Sequence, residues 1–215
     1  MKYIDNRLYI NYSQISPDQR SLYYIRIKNF LRKLVYEYNG FEKWFSGLFI
    51  SDGLLKKDRE IIICEYNFQL VGISILKNDN IEKKICTLRV SKPFQKQGIG
   101  RQLMELSFEW LDDEKPLITI HNSKKHEFKK LFKHYNFQLE EKKWGYYRLF
   151  TTELVYNGSL PEKQFLLNYI EIVDLEKEIK QFLLSGGRDF QLFIDKWLYR
   201  QWLNSQIENN IITEY

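Results

Sequence analysis

The sequence predicts an α+β (α/β) domain, a mostly antiparallel central sheet flanked by helices, followed by a C-terminal helical hairpin. Three observations lead there. Between residues 60 and 90, three apolar, β-branched runs are separated by turns of a few residues, and turns that short join antiparallel neighbours. From Ile85 to Leu111 an apolar strand pattern passes through Pro93, Gly98 and Gly100 into an apolar-periodic helix. After Asn157-Gly158 the strand patterns stop and two helical stripes follow. The expected domains are residues 1–157 and residues 158–215.

Taken in order, Arg7 to Ser13 reads as a first strand. A helix then starts at Ser16-Pro17-Asp18-Gln19, which offers an N-cap serine, proline at the first helical position and a capping-box glutamine. Tyr23, Ile27, Phe30, Leu31, Leu34 and Tyr38 keep one face apolar until Asn39-Gly40 stops the helix. A shorter helix is expected over Phe41 to Phe49, and a loop over Ser51 to Asp58. The three strands are Glu60 to Tyr66, Leu70 to Lys77 and Lys83 to Val90, an antiparallel meander with turns at Asn67-Phe68-Gln69 and Asn78-Asp79-Asn80. Next come the glycine-led helix, a strand Leu117 to His121, a helix from Lys124 to Tyr135, and strands Phe137 to Glu141 and Tyr146 to Tyr156.

Ser159-Leu160-Pro161-Glu162 then opens a helix striped by Phe165, Tyr169, Ile172, Leu175, Ile179, Phe182 and Leu183 and ended by Ser185-Gly186-Gly187. A second helix carries Phe190, Phe193, Ile194, Trp197 and Leu198, so residues 159–208 read as a helical hairpin. Its stripe is expected to pack on the first domain, or to serve as a homodimer or protein-partner surface, since its aromatics exceed what a small appendage needs.

With 215 residues, 44% of them hydrophobic and 16% aromatic, the chain can bury a full core. No apolar run approaches the ~18 residues that span a bilayer, and the start lacks an apolar signal-peptide segment, so no membrane partner and a cytoplasmic location are expected. Cys64 and Cys86 fall on strands two apart in the meander, about 9.5 Å at the usual strand spacing, which is too far for a disulfide. Three histidines and no paired-cysteine motif give no metal centre. Net charge is +5, yet residues 151–215 hold six Lys/Arg against ten Asp/Glu, which leaves 27 against 18 and a net +9 for residues 1–150. That basic part suits an anionic ligand such as coenzyme A, or RNA.

The glycines at the strand-to-helix junction let backbone approach a ligand, and the first N–H groups of the helix point at it, an arrangement suited to phosphate. Two phosphate-binding fingerprints do not fit, because the third glycine of the dinucleotide motif and the Lys-Ser/Thr of the P-loop are missing. Gln95-x-x-Gly98-x-Gly100 resembles the Gln/Arg-x-x-Gly-x-Gly/Ala signature of the GNAT superfamily of N-acetyltransferases, and the order of elements over residues 5–156 is similar to that family's. The resemblance implies the GNAT fold, with a mixed sheet whose fourth and fifth strands splay apart, and acetyl-CoA as cofactor. Its pantetheine arm would pair with the strand edge at Leu88 to Val90. Its pyrophosphate would be cradled by backbone N–H groups of Gln95, Lys96, Gln97, Gly98, Ile99, Gly100 and Arg101, with Lys92, Lys96 and Arg101 supplying charge.

The implied activity is acetyl transfer to an amine (of a protein, a small molecule or an aminoacyl group) by direct attack in a ternary complex. The family's tyrosine, which protonates the departing thiolate, falls at Phe132 in Leu131-Phe132-Lys133-His134-Tyr135-Asn136-Phe137, and a phenyl ring has no proton to give. Tyr135, one turn further along, and His121, ending the fifth strand of this reading, are the candidate substitutes. A glutamate that some members use as general base falls at Lys84, with Glu82 and Glu65 nearby, and water is the other carrier. Two further expectations follow. The toxin-like branch that acetylates aminoacyl-tRNA is one, motivated by lysines 124, 125, 129, 130, 133, 142 and 143 among Tyr135, Trp144, Tyr146 and Tyr147. The other is a GNAT module that binds acyl-CoA or a partner without turnover.

Overall fold

The computed structural model describes residues 1–38, 40–50, 58–79, 81–147, 151–160 and 169–186, with the side chains of Ile50 and residues 169–176 outside that description. The chain divides into two units, Met1–Lys143 with Thr152–Leu160, and Trp144–Thr151 with Pro161–Tyr215. Among the described residues the first unit carries a sheet of eight strands, which lie side by side in chain order except that the last two are exchanged.

The sheet starts earlier than expected. Strands β1 (Lys2–Ile4) and β2 (Arg7–Asn11) form a hairpin in place of one strand over 7–13. Asp5 and Asn6 turn it at φ 49° and 60°, a left-handed pair that Asp and Asn tolerate well. Tyr12–Gln14 is a 3₁₀ turn, not strand. Helix α1 (Pro17–Leu31) begins at the expected proline, but Ser16 makes no side-chain cap and its carbonyl instead accepts the Gln19 N–H at 3.0 Å. The helix tightens into a 3₁₀ segment over Arg32–Tyr36 instead of remaining α-helical to Tyr38. Asn39 lies outside the described residues, and α2 covers Phe41–Ile50.

Strands β3 (Arg59–Tyr66), β4 (Gln69–Asn78) and β5 (Lys83–Val90) form the antiparallel meander the short turns predicted. Cys64 is buried, Cys86 half-buried, and both are free. Helix α3 (Ile99–Leu111), β6 (Leu117–His121) and α4 (Lys125–His134) follow. The last strands differ from expectation: β7 is Leu139–Trp144, and β8 only Thr152–Tyr156, because the turn that Gly145 opens at φ 68° takes in Tyr146 and Tyr147, where the last strand was expected to begin.

Alternation along the central strands builds two cores. Ile62 and Cys64 of β3 join Ile99, Leu103, Met104 and Leu111 of α3 and Phe132 of α4 on one face. Ile61 and Ile63 join Ile27 and Leu31 of α1 and Phe41, Phe45 and Leu48 of α2 on the other. A strand apolar at every position is what two covered faces require. Each fully buried aliphatic side chain contributes roughly 1.5–3 kcal/mol, so the meander anchors both layers.

In the second unit α5 (Tyr169–Leu184) ends at Gly186, φ 76°, where the sequence put its stop. The capping box at 159–162 falls partly, and the second helix of the hairpin wholly, outside the described residues. Among the described residues no helix is long and apolar enough to cross a membrane, and no group of three metal-ligating side chains forms.

Candidate active site

The site begins as a defect in the sheet. Ile75 pairs with Thr87 and Leu76 with Ile85, so Cys86 is an extra residue on β5, a bulge that bends the strand. On its other side β5 pairs in parallel with β6 only at Lys84↔Leu117 and Ile85↔Ile118. Beyond that point the two strands part, while β6 stays paired with β8 as far as His121↔Glu153. Residues Cys86 to Val90 are therefore half-buried in the middle of an eight-stranded sheet, with Leu88 and Val90 on the edge of the gap.

A loop closes one end of this gap. Ser91 donates its N–H to Val71 O at 2.9 Å, and the 3₁₀ turn Lys92–Phe94 reverses the chain. Gln95 Nε2 donates back to Val90 O at 3.1 Å, and Gln97 Nε2 to Pro93 O at 3.0 Å, so both glutamines hold the loop in shape. Lys96 at φ 62° and Gly98 at φ 85° are left-handed residues two apart, an alternation that turns successive amides toward one side. Gln102 N–H to Gly98 O, 3.0 Å, is the first bond of the α3 ladder. The N–H groups of Ile99, Gly100 and Arg101 thus precede that ladder. A Cβ at Gly98 would meet nothing within 4 Å, and one at Gly100 only Val90 Cγ2 at 3.9 Å, so open space lies in front of both glycines.

Two contacts that the sequence reading did not foresee fix the loop. Arg7 on β2 donates from Nη1 to Gln97 O at 3.0 Å and from Nη2 to Gln97 Oε1 at 3.3 Å. Beneath α3, a Cβ on Gly72 would come within 2.9 Å of Ile99 Cγ2 and 3.0 Å of Leu103 Cδ1. Ser74 and Ser107 share a buried hydrogen bond of 2.9 Å alongside. Small residues on β4 let the helix sit close and aim its N-terminus. Gly72 stood in plain sight in an apolar strand, the usual mark of close backbone approach.

The two candidate proton donors lie on opposite faces of the sheet. Tyr135 packs on the α3 face, edge-on to Phe108, and donates its hydroxyl to Glu105 Oε1 at 3.0 Å. Burial first, and then that carboxylate, hold its phenol above the ordinary range. Ile118 and Ile120 face the α3 core, so His121 by alternation faces the α1 side. Its Nδ1 accepts the Ser123 N–H at 3.2 Å and lies 2.7 Å from Ser123 Oγ, which leaves the proton of the neutral ring on Nε2. Phe132, at the family tyrosine's position, is buried against Phe128, Phe137 and Tyr156.

Charge gathers on the α1 side of the gap. Glu37 Oε1 is 3.9 Å from Arg89 Nη1 on β5 and 4.0 Å from Lys124 Nζ just past β6. Lys84 is buried, its Nζ 4.0 Å from Glu82 Oε2. Glu153, directly across from His121, is 1% exposed and its Oε2 has no hydrogen-bond partner among the described residues. Burial, and then Glu37, push its carboxyl up to about 7 against the pull of Lys84. The sequence signal for Glu153 was a lone acid in the apolar run Leu154-Val155-Tyr156, masked by reading 146–156 as one strand.

A family model for the acetyltransferase (GNAT) domain matches residues 33–143, just over half of the chain. The chain belongs to the GNAT acetyltransferase family. Its element order and mixed sheet are those of solved GNAT proteins. One from Desulfovibrio desulfuricans is 11% identical and superposes with a TM-score of 0.50 over 70% of this chain and 96% of that one. An acetyltransferase of the GNAT family from Streptococcus pneumoniae is 13% identical, with a TM-score of 0.50 over 70% and 97%. A GNAT family acetyltransferase from Elizabethkingia anophelis, solved with acetyl-CoA bound, is 18% identical with a TM-score of 0.45 over 73% of this GNAT chain and 100% of that one. No curated protein matches the sequence.

Proposed function

We propose that this GNAT protein is an acetyl-CoA-dependent N-acetyltransferase with an amine acceptor. The observation that carries the reading is the gap between β5 and β6 opening beside the glycine loop, whose Lys96 and Gly98 are left-handed. The open space in front of Gly98 and Gly100 suits a pyrophosphate, which backbone donors from Gln95 to Arg101 would hold, with Lys92, Lys96 and Arg101 adding charge. The edge that β6 leaves uncovered at Leu88 and Val90 offers backbone groups to an extended pantetheine arm, apart from the Val90 carbonyl that Gln95 Nε2 already holds.

Acetyl-CoA supplies the acetyl group as a thioester, and what the protein must add is alignment and two proton movements. Nε2–H of His121 and the hydroxyl of Tyr135 are the groups proposed to protonate the leaving thiolate. Their placement on opposite faces makes them separable. A thiol-release assay with acetyl-CoA over a panel of spermidine, L-lysine, tryptamine and short peptides tests the reading. His121→Ala or Tyr135→Phe should lower turnover at whichever residue serves, and a variant with full turnover removes its residue. Absence of both acetyl-CoA binding and thiol release in wild type would overturn the enzyme reading.

A second reading, acetylation of aminoacyl-tRNA, is supported by the exposure of Lys125, Lys129, Lys130 and Lys133 along α4. Binding of bulk tRNA at low salt that weakens steeply as salt rises is the expected result, and no binding at low salt ends it.

A further inference from the structure

Three glutamates are buried in the first unit, and two have structural partners. Glu60 accepts from Ser13 Oγ at 2.6 Å and from the Ile61 N–H at 2.9 Å. Glu65 is 2.6 Å from Arg26 Nη1, an ion pair, although the approach is not aligned as a hydrogen bond. Glu82, the half-buried alternative, is held by Lys77 Nζ at 2.8 Å. Glu153 differs from all of these. It is the most buried of the three, and among the described residues its Oε2 has no hydrogen-bond partner and, unlike Glu65, no salt bridge holds it. A native structure seldom leaves a buried carboxylate oxygen unsatisfied without a use for it.

Its position gives the use. Glu153 lies opposite His121 at the open end of the β5–β6 gap, three residues past the last β5–β6 pair. Leu154 and Tyr156 of β8 belong to the α3 core, so Glu153 points to the other face. The titratable and charged groups around that face are Glu37 at the end of the α1 segment, Lys84, Cys86 and Arg89 of β5 with Glu82 beside Lys84, His121 of β6 and Lys124 after it. Lys84 occupies the strand position at which the resemblance placed a glutamate, and Glu153 brings a carboxylate to the same neighbourhood from β8.

We propose that Glu153 is the general base of this enzyme, accepting the proton of the acceptor's ammonium group. The step breaks one N–H bond and forms one O–H bond on the carboxylate; the electron pair stays on nitrogen, which becomes the neutral nucleophile. A carboxyl held near neutrality is matched to this work, since a base is most effective with its midpoint near the working pH. The inference rests on the acetyl-transfer reading, and its experiment separates the two.

Glu153→Gln keeps the shape and removes the base. In the thiol-release assay with acetyl-CoA and the best amine of the panel, kcat should fall by about 10²–10⁴-fold, the usual worth of such a group. The KM for acetyl-CoA and the thermal shift it produces should stay unchanged. The acid limb of the kcat/KM profile near pH 7 should vanish, and Glu153→Asp should recover part of the rate. Independently of turnover, ¹³C-labelled glutamate NMR should show one carboxyl titrating near neutral pH in wild type and absent from Glu153→Gln. The proposal is overturned if the variant keeps kcat within a factor of two, or if the Glu153 resonance titrates in the ordinary carboxylate range. Failure of wild type to bind acetyl-CoA would count against the cofactor reading, and the titration would still decide whether Glu153 is poised as a base.

Discussion

The guanidinium of Arg7 reaches from the second strand to Gln97, ninety residues later, and holds both the backbone carbonyl and the side-chain amide oxygen of that residue. A loop that binds through its backbone needs its peptide planes fixed from outside, because each freely rotating amide costs entropy when ligand arrives. Arg7→Ala should therefore weaken acetyl-CoA binding about threefold to tenfold, the worth of one net hydrogen bond, while the fold persists. Isothermal titration calorimetry alongside a melting curve checks it.

Gly98 tests the loop directly. At a hundred times its dissociation constant, acetyl-CoA should stabilise wild type by about 2.7 kcal/mol, a melting shift of roughly 5–10 °C for a chain of this size. Gly98→Ala meets no neighbour but must hold φ 85°, so it should cost about 1–2 kcal/mol of stability. Gly98→Glu puts a carboxylate in the proposed phosphate space and should abolish the ligand-induced shift in a protein that still melts cooperatively.

Gly72 sets how closely α3 lies on the sheet. Gly72→Val must displace Ile99 or Leu103, and overpacking of this kind costs typically about 1–3 kcal/mol. Because Ile99 is the first residue of α3, the displacement should also lower acetyl-CoA affinity. Chemical denaturation and calorimetry on the same variant separate the two effects. A loss of stability with affinity intact would show that the loop is positioned without help from this contact.

Through Glu153 the fold should be less stable at pH 8 than at pH 5. A carboxyl raised from 4.5 to about 7 in the native state binds its proton more tightly when folded. Its contribution is therefore present below the unfolded value and lost as pH rises through the folded one, on the order of 3 kcal/mol in all. Glu153→Gln should remove that part of the slope between pH 4.5 and 7 and melt several degrees above wild type at pH 8. Denaturant titrations at a series of pH values provide the test.

Much of this was legible in the residues. The meander, the glycine-led helix and the strand ending at His121 were marked by short turns, Pro93 and unbroken apolar runs, all local signals. The left-handed residues were half legible: Gly98 announced itself, whereas Lys96 did not, because its conformation is imposed by the glutamine side chains that fold the loop on itself. Arg7, Glu37 and Glu153 were not legible as site residues. Each acts across the sheet on partners distant in sequence, and no spacing pattern records such a meeting. The hairpin between β1 and β2 was missed although Asp5-Asn6 carried its turn chemistry, because the strand before it has only three residues.

The two-pair seam between β5 and β6 has a mechanical meaning as well. Strands β1 to β5 form one plate and β6 to β8 another, welded over two residue pairs and strapped by the chain that crosses through α3. In solution the amides of Cys86 to Val90 that face away from β4 should exchange with deuterium as readily as a sheet edge, although they lie at its centre. An extended ligand laid along them would act as a missing ninth strand, slowing that exchange and stiffening one plate against the other.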